Sequence, residues 1–139
     1  MVTVIVGLLT PIGGLVAAFW AVWTYHQSMK LARARWVKEL YEKFYEQPQL
    51  KTVREELDSS DEGVKTKLVR DESSSFTDYL NFFEFLAYLK ESGQVKKADM
   101  LGIFQYYLEN LKSCPDVFAY INDASKGFEK LSKVLREDL

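Results

Sequence analysis

Glu84 stands in the most apolar stretch of the charged part of this chain. It lies within Tyr79-Leu-Asn-Phe-Phe-Glu-Phe-Leu86, one helical turn after Asn81. A carboxylate among such neighbours is costly unless it is paired or hydrogen-bonded, and its pKa rises if it is not. That setting suits a proton-active or ligand-binding group in a helical core. It suits better a structural brace that accepts hydrogen bonds from a Tyr, an Arg or the backbone N–H groups of another helix, since paired structural groups perturb pKa too. One acid with no His, Cys or second carboxylate nearby is not a catalytic set. Asn81 and Glu84 are therefore expected as buried polar residues, with Glu84 acting as the brace.

Other reactive residue types are scarce. His26 is the only histidine, flanked by Tyr25 and Gln27, and with no second titrating partner it reads as an interfacial polar group. Cys114, the single cysteine, excludes a disulfide within one chain and fits a reducing compartment. Preceding Pro115, it reads as a packed helix-end residue rather than a reactive thiol. Asp58, Asp61 and Glu62 lack the alternation and terminal Glu of an EF-hand loop. No glycine-rich phosphate loop, nucleophile motif or metal-ligand spacing is present, so no enzyme activity, cofactor or metal is expected. Charge is nearly balanced, with 18 Lys and Arg against 20 Asp and Glu, which gives no basic excess for nucleic acid.

The elements that must position these residues begin with a sharp boundary. Met1–Met29 contains no Asp, Glu, Lys or Arg, and Val2–Trp23 is almost wholly apolar, whereas charges are frequent from Lys30 onward. As a helix at ~1.5 Å per residue, Val2–Trp23 is long enough for a ~30 Å hydrocarbon core. A secretory signal would carry a basic start and a small-residue cleavage site; this run has neither, and ends in Phe19-Trp20-Ala21-Val22-Trp23. A buried core helix of this length without charges is unusual in so small a chain. The composition thus predicts an all-α protein, with a transmembrane anchor over 1–27 continuing into a small cytoplasmic helical bundle over 28–139.

The flanks suit that expectation. Trp20, Trp23 and Tyr25 fall where an aromatic belt lies, and Lys30, Arg33, Arg35 and Lys38 follow before much acid appears, favouring N-terminus out and the C-terminal domain in the cytoplasm. The same four cations are candidates for lipid head groups. Within the anchor, Pro11 predicts a bend around Leu8–Pro11. Thr10, Gly14 and Ala18, and likewise Gly13, Ala17 and Ala21, recur at intervals of four, so another helix can approach closely, either a second copy or an integral membrane partner.

Helical periodicity runs through the rest. Leu31, Ala34, Val37, Leu40, Tyr41, Phe44 and Tyr45 mark one face of a helix over 28–45 that continues the anchor. Pro48 opens the next, Pro48–Leu57, with Leu50, Val53 and Leu57 as its stripe. Asp58–Gly63 reads as a loop, Val64–Val69 as a short weak helix and Asp71–Ser75 as a second polar stretch. A central helix should start at a Ser75 or Thr77 cap and stop at Gly93. Lys97–Lys112, Pro115–Asn122 and Ala124–Arg136 complete the set.

The layout resembles uncharacterised bacterial membrane proteins of the DUF4760 type, through Arg33–Phe44 after the anchor, Tyr79–Leu86, and Gly93 before a further helix. The resemblance implies one N-terminal membrane helix, a basic juxtamembrane helix and a compact helical domain, and brings no activity with it; the anchor and its charge asymmetry place the chain at the inner (cytoplasmic) membrane. The function expected is non-enzymatic: an accessory subunit or adaptor, or alternatively a membrane-anchored sensor or effector of stress or phage defence that works by self-assembly.

Overall fold

Pro48 follows Gln47, the single residue between the first two helices, and its ring is tolerated there because the first helical N–H has no partner to lose. In the computed structural model, which describes the backbone of residues 2–139 and the side chains from Val16 onward, helix α1 spans Val2–Glu46 and α2 spans Pro48–Asp58. Helix α3 follows over Glu62–Asp71, α4 over Ser74–Glu91, α5 over Lys97–Ser113, α6 over Pro115–Asn122 and α7 over Glu129–Glu137. A single 3₁₀ turn, Ala124–Lys126, precedes α7. The chain is all-helical, with no strand among the described residues.

Packing divides the chain into Met1–Trp36 and Val37–Leu139. The expected division after Gln27 was drawn from charge and hydropathy, and this one from contacts. In the first unit every described side chain except Arg33 is exposed, including Leu31 and Ala34 of the expected juxtamembrane stripe. Among the described residues no helix is long and apolar enough to cross a membrane. Most of the run that predicted an anchor, including the Leu8–Pro11 stretch of the expected bend, lies where the side chains are outside the described residues.

The second unit has the core. Helix α4 is its centre, burying Phe76, Tyr79, Leu80, Phe82, Phe83, Leu86, Ala87 and Leu89 against α2, α5 and α7. A helix apolar on several faces is one surrounded by others. The last turns of α1 bring Leu40 and Phe44 into this core. The Phe44 ring centroid lies 4.8–5.8 Å from those of Tyr45, Tyr79, Phe82, Phe83, Phe104 and Tyr107.

Several boundaries differ from the sequence expectation, α3 running on to Asp71 beyond the expected Val69. The α4 cap is Ser73, whose hydroxyl accepts from Phe76 N at 3.2 Å, and not Ser75 or Thr77; it is the first serine of the run whose extended backbone frees its side chain for the N3 amide. Helix α3 starts at Glu62, earlier than expected, because Asp61 accepts from Gly63 N at 2.8 Å. The expected helix Ala124–Arg136 is broken at Gly127, whose φ of 82° is left-handed and stops the 3₁₀ turn. Gly93, at φ 75°, ends α4 as expected, with Gln94 N and Val95 N both donating to Leu89 O.

Phe44→Ala should cost about 3–5 kcal/mol of stability, the usual loss for truncating a fully buried ring. Denaturant unfolding of the full chain in mild detergent reads it, and a loss below about 1 kcal/mol would show that the ring is not central.

Candidate functional site

Helix α7 has no capping side chain of its own: Phe128 occupies the N-cap position. Its free amides are met from α4. Glu84 Oε2 accepts from Leu131 N at 2.7 Å and Oε1 from Lys130 N at 3.2 Å. A carboxylate there answers the orphan N–H groups and the positive end of the helix dipole together. Glu84 is thus half-buried and acts as the brace between helices, accepting from backbone N–H groups.

Asn81 corrects the other half of that expectation. It is exposed, because Asp78, Asn81, Phe85 and Tyr88 recur at three and four on the face of α4 that nothing covers, while Glu84 turns towards α7. On that open side a groove of about 370 Å³ lies between the end of α1, the start of α2 and α4. Leu40, Leu50, Phe82 and Phe85 supply its apolar lining, and Lys43, Gln47, Gln49, Asp78 and Asn81 its polar lining. Phe85 and Tyr88 are 44 % and 47 % exposed, stacked with ring centroids 6.4 Å apart.

A second polar group lies in the core. Arg54 is buried, donates from Nη1 to Phe44 O at 2.6 Å, and sets its guanidinium 4.7 Å and 4.6 Å from the ring centroids of Phe44 and Tyr45. It ties down a carbonyl that α1 leaves free at its end. Tyr45 and Tyr107 share a hydrogen bond of 2.9 Å, and burial together with that bond pushes the Tyr107 hydroxyl up to about 12. Tyr79 Oη is buried with no hydrogen-bond partner, and desolvation holds it well above the ordinary tyrosine value. Charge formation on either phenol is opposed, so both remain neutral near pH 7. Arg54 was visible in the sequence, since it sits four residues after Leu50 and three before Leu57 on the α2 stripe.

The remaining candidates are committed to structure. Asp58 accepts from Tyr106 Oη at 2.9 Å and Asn110 Nδ2 at 2.7 Å, Asp61 caps α3, and Glu62 pairs with Lys65 at 2.8 Å. Cys114 is buried between α5 and α6. No group of three or more His, Cys, Asp or Glu that would hold a metal occurs among the described residues. His26 is exposed, its ring 6.1 Å from that of Tyr25. Of the expected membrane packing residues, Ala17, Ala18 and Ala21 are exposed, and Thr10, Gly13 and Gly14 precede the described side chains. Of the four juxtamembrane cations, Lys38 pairs with Glu42 at 3.2 Å, Lys30 and Arg35 are exposed, and Arg33 is half-buried. Comparison with known proteins finds no matching family model, no matching curated protein and no matching solved structure.

Glu84→Ala should cost about 1–2 kcal/mol, the loss of a helix cap, and Glu84→Gln less, because its amide oxygen still accepts. Melting temperatures of both, beside that of the exposed Glu55→Ala, check this. Equal, negligible shifts in all three would show that the α7 cap carries no stability.

Proposed function

We propose that this chain is a non-enzymatic, single-pass membrane protein whose helical domain docks a second protein. The observation that carries the docking part is the groove on the open side of α4. It combines an apolar lining with amide side chains, and its Phe85 stacks on the neighbouring Tyr88, both rings facing solvent. Aromatic anchors ringed by polar groups are the composition of protein interfaces, and Lys43 and Asp78 place one charge of each sign in that ring. The anchoring part is supported by the charge-free run Val2–Trp23 and by the exposed rings that close it. In this reading the domain faces the cytoplasm at the inner membrane, and the partner is an integral membrane protein for which this chain is an accessory subunit.

Affinity purification from native membranes in mild detergent, with mass spectrometry of what accompanies the chain, tests it. A stoichiometric membrane protein should be recovered with the parent chain and lost with Phe85→Ser. That substitution changes a solvent-facing residue and should leave the melting temperature nearly unchanged. Recovery of a homo-oligomer alone would overturn the proposal in favour of self-assembly.

A further inference from the structure

The first unit carries exposed rings and unanswered positive charge. Phe19, Trp20, Val22, Trp23 and Tyr25 are between 54 % and 71 % exposed. At about 100° per residue they spread over roughly 220° of the helix circumference, wider than a single stripe. A partner helix covers one face, whereas a fluid apolar medium covers all of them. Beyond the rings come Lys30, Arg33 and Arg35, and Glu39 is the first acid in the chain. Among the described residues none of these three cations has a carboxylate within ion-pair distance, whereas Lys38 has Glu42.

Lys30 is joined to the rings by shape. Phe19, Val22, Trp23, His26, Gln27 and Lys30 line one shallow hollow of about 270 Å³. Its walls are rings and an aliphatic side chain towards the N-terminal end and imidazole, amide and ammonium towards the other. Helical side chains lean towards the N-terminus, so the Lys30 ammonium is carried back towards the aromatic level. We propose that this hollow takes an anionic phospholipid. An acyl chain lies against Phe19, Val22 and Trp23, the phosphate meets Lys30, and Arg33 and Arg35 add attraction from the next turn. The inference rests on the anchoring reading above and adds the class of lipid.

Tryptophan fluorescence separates the two. The full chain with Trp36→Phe leaves Trp20 and Trp23 as reporters and is reconstituted into phosphatidylcholine vesicles. These contain equal fractions of either brominated phosphatidylcholine or brominated phosphatidylglycerol as quencher. The preference for phosphatidylglycerol should be about fivefold, matching the ~1 kcal/mol of a cation close to an anionic surface. It should fall towards parity in Lys30→Gln and in the Lys30→Gln/Arg33→Gln/Arg35→Gln variant, while quenching by brominated phosphatidylcholine persists. Equal quenching of the parent by both lipids would overturn the lipid preference and leave the anchor standing. No quenching by either would overturn both.

Discussion

The Phe44 ring is the constraint on which the helical domain depends. It is fully buried in the last turn of α1 and meets side chains of α4 and α5 directly, while Arg54 of α2 lies over its other surroundings and holds its carbonyl. Edge-on and tilted ring pairs of this kind add ~0.5–1.5 kcal/mol each beyond area burial. Their greater effect is geometric, because a ring held from several sides fixes where α1 enters. Gln47 then leaves only one residue before α2 must begin, so the position of Phe44 also sets the position of Arg54, Leu50 and Val53. The groove beside α4 has its shape for the same reason: its walls are the turns on either side of that junction.

Glu84 closes the other end of the domain. Helix α7 is short, and short helices owe their order to packing and caps rather than to propensity. Leu131, Val134 and Leu135 pack it into the core, and Glu84 supplies the acceptors that its own first turn lacks. Nearby charge pairs trim the edge: Asp138 is held by Lys90 at 2.6 Å and Lys97 at 3.0 Å. Burial alone would raise its carboxyl pKa; the two lysines reverse that and hold it below the ordinary value.

Much of this was legible before any coordinates. Period-3.6 patterns located α2, α5 and α6 almost to the residue, with Pro48 and Pro115 marking two of the starts, and Gly93 marked the end of α4 by local backbone chemistry alone. The need for Glu84 to be answered followed from its neighbours, but its partner did not, because the amides of Lys130 and Leu131 are distant in sequence. Asn81 misled for a related reason: in a run apolar on several faces, periodicity does not tell which face a polar residue takes. Gly127 interrupts a pattern that otherwise reads as one helix, and only its left-handed backbone reveals the break. The stripe from Leu31 to Tyr45 was real as a pattern, yet just its second half meets a core.

Helix α1 therefore contributes to two units with opposite surfaces, one burying Leu40 and Phe44 in protein and one leaving its described apolar side chains uncovered. In the proposed reading, lipid covers the latter. Alkaline carbonate extraction of membranes from cells expressing the full chain tests that directly, since it strips peripheral proteins and leaves integral ones in the pellet. A lipid-covered α1 should keep the chain in the pellet, with release to the supernatant only by detergent. Release by carbonate alone would contradict it.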